Sequence, residues 1–148
     1  MSSSAADDSD DDRRSLAAAR GAGLILIADD TPDTRELYSL YLTHRGFDVL
    51  TAQDGHTAID LARRHQPDLV IMDLSMPRLD GVAATNRLKR DARTRRTPVI
   101  VLTAHAAKEM QQRALEAGAS ALLMKPCLPE DLEQHVQRLI ARPAPRPQ

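Results

Sequence analysis

The sequence predicts an α/β fold, a doubly wound parallel sheet with helices on both faces. Three observations point to it. Short runs such as LILIA, LVIMD and VIVLT are apolar throughout, as strands covered on both faces must be. Longer stretches with helical spacing separate these runs in strict alternation, which implies strand–helix–strand repeats and parallel pairing. Charged and hydroxyl residues follow the runs, at the carboxyl ends where such sheets bind their ligands.

Taken in order, the first strand is Leu24–Ala28, followed by Asp29-Asp30. The helix expected over residues 33–45 places Leu37, Tyr38, Tyr41 and Leu42 on one stripe, and Gly46 is its stop signal. Residues 47–52 (FDVLTA) are more mixed, which suits an edge strand. A helix over 56–64 carries Ala58, Ile59, Leu61 and Ala62. The strand Leu69–Asp73 comes next, then a helix over 82–91 with Val82, Ala83 and Leu88. Val99–Thr103 is the fourth strand, and a helix over 106–117 stops at Gly118. Ala121–Met124 (ALLM) is the fifth strand, continuously apolar and so expected to be covered on both faces. The last helix, Pro129–Ile140, opens on proline and carries Leu132, Val136, Leu139 and Ile140.

The ends read differently. Residues 1–14 hold five aspartates and four serines without apolar periodicity, so residues 1–22 are expected to form an acidic, disordered tail. Residues 142–148 (RPAPRPQ) carry three prolines and are expected to be an extended tail. The folded domain is expected over 23–141, one domain within 148 residues.

Composition narrows the function. Lys+Arg number 20 against 21 Asp+Glu, which lacks the basic excess of a nucleic-acid binder. Tyr38, Tyr41 and Phe47 are the aromatic residues, so base stacking is nearly excluded as well. The single cysteine excludes an internal disulfide and suits a reducing compartment. No apolar run approaches the roughly 20 residues of a membrane span, and the acidic start is the wrong chemistry for a signal peptide. A cytoplasmic setting is therefore expected.

The strand ends carry the chemistry. Asp29 and Asp30 follow the first strand, Asp73 ends the third, Thr103 ends the fourth, and Lys125-Pro126 follows the fifth. Three carboxylates in one crevice resist ionising together, and a divalent cation resolves the repulsion. Hard oxygen ligands with room for water and a phosphate oxygen describe Mg2+. Thr103 offers a hydroxyl and Lys125 a point charge to a phosphoryl group. The set is suited to transferring a phosphoryl group onto a carboxylate. Singly, each has a plain alternative: Asp30 as a helix cap, Asp73 as a loop carboxylate, Thr103 as a strand terminus, Lys125 as a solvated lysine.

At these residues the chain resembles the receiver domains of two-component response regulators. The matching pieces are LILIADD, DLVIMDLSMPRLDG, PVIVLTA and EAGASALLMKP, spanning about residues 24–140. The resemblance implies a flavodoxin-like (βα)5 sheet of strand order 2-1-3-4-5. It implies Asp73 as phosphoryl acceptor and Asp30 and Asp73 as direct magnesium ligands. Asp29 would act through a water, and the Ser75 backbone carbonyl would be a further ligand. Thr103 looks like the switch hydroxyl and Lys125 like the phosphate-binding lysine, with a Lys125–Pro126 bond that is often cis. Pro77 and Gly81 would shape the loop after Asp73.

Some positions depart from the family's pattern. Leu122 stands where the family often has a switch aromatic, and Cys127 where many members have Phe or Ile. Cys127 reads as a packing residue. Ser75 and His105 stand where, by the resemblance, the family tunes phosphoryl lifetime, and His105 reads as a cover over the site. His44, His56, His65 and His135 read as surface residues.

The resemblance implies a stand-alone receiver phosphorylated by a histidine kinase or histidine phosphotransfer protein. It would signal through protein–protein contact over about residues 106–140, with no nucleic acid or membrane partner. It would not be an enzyme beyond its own phosphorylation and dephosphorylation. Alternatives are a phosphorylation-independent adaptor and the receiver fragment of a hybrid histidine kinase. An aspartate-nucleophile phosphatase needs an acid where Ser75 stands. A flavin phosphate would be repelled by Asp29 and Asp30.

Overall fold

The computed structural model describes residues 22–104 and 107–140. The expectations for the two tails, for His105 and for the start of the helix at 106 lie outside these residues, apart from Ala22. Five strands form one parallel sheet: β1 (Leu24–Ala28), β2 (Asp48–Ala52), β3 (Leu69–Asp73), β4 (Val99–Thr103) and β5 (Ala121–Met124). Their order is β2-β1-β3-β4-β5, so the strand order reverses beside β1 and opens a crevice between β1 and β3. The helices are α1 (Pro32–His44), α2 (Gly55–His65), α3 (Gly81–Arg90), α4 (Lys108–Glu116) and α5 (Pro129–Ile140).

The central strands read as apolar runs because both their faces are covered. Ile25, Ile27, Leu69, Ile71, Ile100 and Leu102 point to one side, with Tyr38, Leu42, Leu132 and Val136 of α1 and α5. Leu26, Val70, Met72, Val99 and Val101 point to the other, with Ala58, Ile59, Ala62, Ala84, Leu88 and Ala114 of α2, α3 and α4. Burying one of these larger aliphatic side chains stabilises the fold by about 1.5–3 kcal/mol. Alternation of side chains along each strand therefore divides the core into two layers.

The predicted elements lie within a residue or two of those observed. Gly46 and Gly118 adopt φ of 99° and 114°, the left-handed backbone of a helix stop. Other expectations need correcting. Leu37 is 52% exposed, so the α1 stripe is centred on Tyr38 and Leu42, four residues apart and nearly in line; Leu37 lies about 100° round the helix from Tyr38. The β5 run is apolar, but β5 is an edge strand: its first three residues are half-buried and Met124 is exposed. His65 and His135 are half-buried, whereas His44 and His56 are exposed. No described helix is long and apolar enough to cross a membrane.

Candidate functional site

Each site residue is delivered by the end of a strand. Asp29 follows β1, and its N–H donates to the Ala52 carbonyl of β2 at 3.0 Å, extending the parallel ladder by one residue. Asp73 ends β3 and Thr103 ends β4, both buried. Lys125 follows β5, and its N–H donates to the Thr103 carbonyl at 2.8 Å. The Lys125–Pro126 peptide is cis.

The Lys125 ammonium donates to Asp29 Oδ2 at 2.9 Å and stands 3.6 Å from Asp73 Oδ1. Both Asp29 oxygens are engaged, since its Oδ1 accepts the Thr31 N–H at 2.8 Å. Asp73 is one-sided: Oδ1 accepts the Ser75 N–H at 3.2 Å, and Oδ2 takes no hydrogen bond among the described residues. Asp30 is exposed and does not cap α1. Thr31 holds the N-cap position without a side-chain bond, and Pro32 opens the helix.

Asp29, Asp30 and Asp73 each offer a carboxylate oxygen, and these oxygens lie within 4.8 Å of one another. Burial pushes the Asp73 carboxyl up to about 6, and the Asp29 charge adds to the rise; the Ser75 N–H and Lys125 oppose it. Burial works against the Lys125 ammonium, but the hydrogen bond to Asp29 and the nearby carboxylates outweigh it, and its pKa is raised. A carboxylate cluster with one ammonium is short of positive charge. Its donor set of hard oxygens, partly open to water, fits a divalent cation.

The loop after Asp73 is built on close backbone approach. A Cβ on Gly81 would lie 2.4 Å from the Asp73 carbonyl oxygen, so only glycine lets α3 begin there. A Cβ on Gly55 would lie 2.3 Å from the Leu79 carbonyl, so the start of α2 also supports this loop. Asp54 caps α2 by accepting the Thr57 N–H at 2.8 Å and pairs with Arg78 at 3.0 Å. Arg78 adopts φ of 68°, an uncommon conformation for a residue with a side chain. The Ser75 side is exposed at the mouth of this loop.

Sequence reasoning brings together Asp29, Asp30, Asp73, Thr103 and Lys125, and the fold places all five at one end of the sheet. It missed Arg35, whose guanidinium donates to the Asp29 carbonyl at 2.7 Å, and Tyr38, whose hydroxyl donates to the Cys127 carbonyl at 2.7 Å. It also missed buried Glu133, which accepts from Tyr41 at 3.0 Å and Arg45 at 2.9 Å. Leu122 is half-buried against the α2–α4 side of the core, and Cys127 packs against the opposite cluster with its thiol pushed up by burial.

Residues 25–137 match the family described as Response regulator receiver domain. The chain belongs to the response regulator receiver family. Among curated relatives, the receiver is 39% identical over 119 residues to the transcriptional regulatory protein PdtaR of Mycobacterium tuberculosis, covering 80% of this chain and 57% of that protein. It is 39% identical over 118 residues to the DNA-binding dual master transcriptional regulator RpaA of Synechocystis, covering 80% of this chain and 49% of that protein. The chain thus spans about half the length of these relatives. Among solved structures, the signal receiver domain of a Syntrophus aciditrophicus histidine kinase superposes with a TM-score of 0.78 at 35% identity, covering 86% of this chain and 96% of that one. The receiver domain of a Pseudomonas aeruginosa sensor histidine kinase, described with a magnesium ion in its active site cleft, gives 0.76 at 32% identity over 81% and 98%.

Proposed function

We propose that this receiver accepts a phosphoryl group on Asp73 from a histidine kinase or histidine phosphotransfer protein and signals through contact with a protein partner. The observation that carries the reading is the one-sidedness of Asp73. Oδ1 is held by Ser75 and faces Lys125, which leaves Oδ2 to attack phosphorus. The new bond is Oδ2–P; the bond broken joins phosphorus to the donor's imidazole nitrogen, which keeps the electron pair.

The chain's own residues do the rest. Lys125 places its ammonium beside a phosphoryl oxygen, and the Thr103 hydroxyl donates to another. Asp29, with both oxygens engaged, holds Lys125 in place. Asp29, Asp30, Asp73 and the Ser75 carbonyl would hold Mg2+, which would supply positive charge to the transferring group when bound. Catalysis is confined to the receiver's own phosphorylation and dephosphorylation. The output surface is about residues 106–140, and the setting is cytoplasmic.

The test is incubation with Mg2+ and acetyl phosphate, read by intact mass beside Asp73→Asn. The expected result is a base-labile gain of one phosphoryl group that Asp73→Asn lacks. A gain retained in Asp73→Asn moves the acceptor elsewhere. The absence of gain, from acetyl phosphate and from phosphohistidine donors alike, favours a second reading, a phosphorylation-independent adaptor. Leu122 in the switch-aromatic position is the observation that supports it.

A further inference from the structure

Helix α1 touches both sides of the site with side chains one turn apart. Arg35 donates to the Asp29 carbonyl at 2.7 Å and Tyr38 to the Cys127 carbonyl at 2.7 Å. Residues three apart share a helix face, so one rigid element grips the β1–α1 turn and the β5–α5 turn together. Cys127 lies two residues beyond Lys125. The Lys125 N–H pairs with the Thr103 carbonyl at 2.8 Å, and the Leu128 carbonyl accepts from the Leu132 N–H at 3.0 Å. Between them, the Tyr38 bond is the main-chain anchor of this turn among the described residues.

Tyr38 is 4% exposed and packs with Ile25, Ile27 and Leu132. Its ring would fill this space equally well as phenylalanine. The hydroxyl therefore needs a separate reason, and a buried tyrosine keeps one where it finds a partner. We propose that Tyr38 is a positioning residue for Lys125: through the Cys127 carbonyl it fixes the turn from which the ammonium reaches Asp29 and Asp73, while Arg35 fixes the Asp29 side. Burial and the neighbouring Cys127 and Asp29 push the phenol up to about 12, so it stays a donor throughout the working range. The inference deepens the phosphoryl-acceptor reading and rests on it for its kinetic arm.

The experiment is Tyr38→Phe, made in the wild-type chain and in Lys125→Ala. Thermal unfolding checks that each variant folds, and 4-fluorophenylalanine at position 38 is the second variant without a donor. The first readout is the Lys125 Nζ resonance in the metal-free protein. It is expected to shift or broaden in Tyr38→Phe and to return with 4-aminophenylalanine at position 38, which restores a donor. The second is the rate of phosphoryl uptake from acetyl phosphate. It should fall roughly five-fold, the size of one lost hydrogen bond, and show no further fall in the Lys125→Ala background. An unchanged Lys125 resonance, or an equal fall in both backgrounds, overturns the positioning role. A wild-type chain that takes up no phosphoryl group defeats the functional reading instead, and the resonance then decides the role of Tyr38 alone.

Discussion

Two lysines stand at opposite ends of this sheet, and they show how differently a partly buried ammonium can be used. Lys89, in the last turn of α3, donates to the Thr97 carbonyl at 2.6 Å and the Arg95 carbonyl at 3.1 Å, beneath the amino end of β4. Its partners are neutral, so burial prevails and its pKa is lowered. Lys125 faces carboxylates, and its pKa is raised. Lys89 satisfies the carbonyl of Thr97 where the connection turns into the core, and reaches the exposed Arg95 carbonyl beside it. Lys125 places its charge beside Asp73, whose Oδ2 takes no hydrogen bond among the described residues. Burial alone does not set the charge state of a lysine; the charge of its partners does.

The aspartates repeat the lesson. Asp54 and Asp73 are both buried, 4% and 3% exposed. The Thr57 N–H leads in lowering the Asp54 carboxyl, with Arg78 assisting, so this group stabilises the fold as an anion. Asp73 is pushed up to about 6, so its ionisation is opposed by the fold. One aspartate ties down the loop that the other one needs.

The largest expected effect tests the support of the site. Gly81→Ala forces a Cβ against the Asp73 backbone and should cost about 3 kcal/mol. Chemical denaturation measures this, and a change below 1 kcal/mol would show that α3 can start elsewhere. Next is Asp73→Asn in the metal-free protein. The folded state holds a proton that the unfolded state releases between their two pKa values. The wild type therefore loses stability as pH rises from about 4 to about 6. At pH 7 the asparagine variant should be more stable by about 2 kcal/mol, with the advantage gone near pH 4. Unfolding curves across that range decide it, and a pH-independent difference counts against the buried charge.

The lysine pair is broken directly by Lys89→Met and Lys125→Met. The first should cost about 1 kcal/mol, since it strands the part-buried Thr97 carbonyl, and leave phosphoryl uptake unchanged. The second should slow uptake by tenfold or more, as electrostatic partners of a transferring group do. Equal effects on both properties would erase the contrast. The smallest effect belongs to the exposed Arg64–Asp60 pair at 2.7 Å: Arg64→Ala should change stability by less than about 0.5 kcal/mol.

Much of this was legible in the sequence, for physical reasons. Strands covered on both faces must be apolar runs, so LVIMD and VIVLT declare themselves, and the residues that end them fall at one rim. The contacts around α1 were not legible. Tyr38 carries the same apolar ring whether or not its hydroxyl finds a carbonyl 89 positions away in sequence. Glu133 reads as a solvated acid until α1 brings Tyr41 and Arg45 over it. Leu37 sits beside the stripe rather than on it, and β5 is apolar despite lying at an edge. Local periodicity reports which face is covered, but not by what.

The central claim is that Asp29, Asp73 and Lys125 form one electrostatic unit around a reluctant carboxylate. The most direct measurement is a 13C NMR titration of the Asp73 carboxyl in the metal-free protein, with Lys125→Met beside the wild type. The account predicts a midpoint near 6 in the wild type and a higher one when the ammonium is gone. A midpoint near the ordinary aspartate value of about 3.9 in both proteins would contradict it.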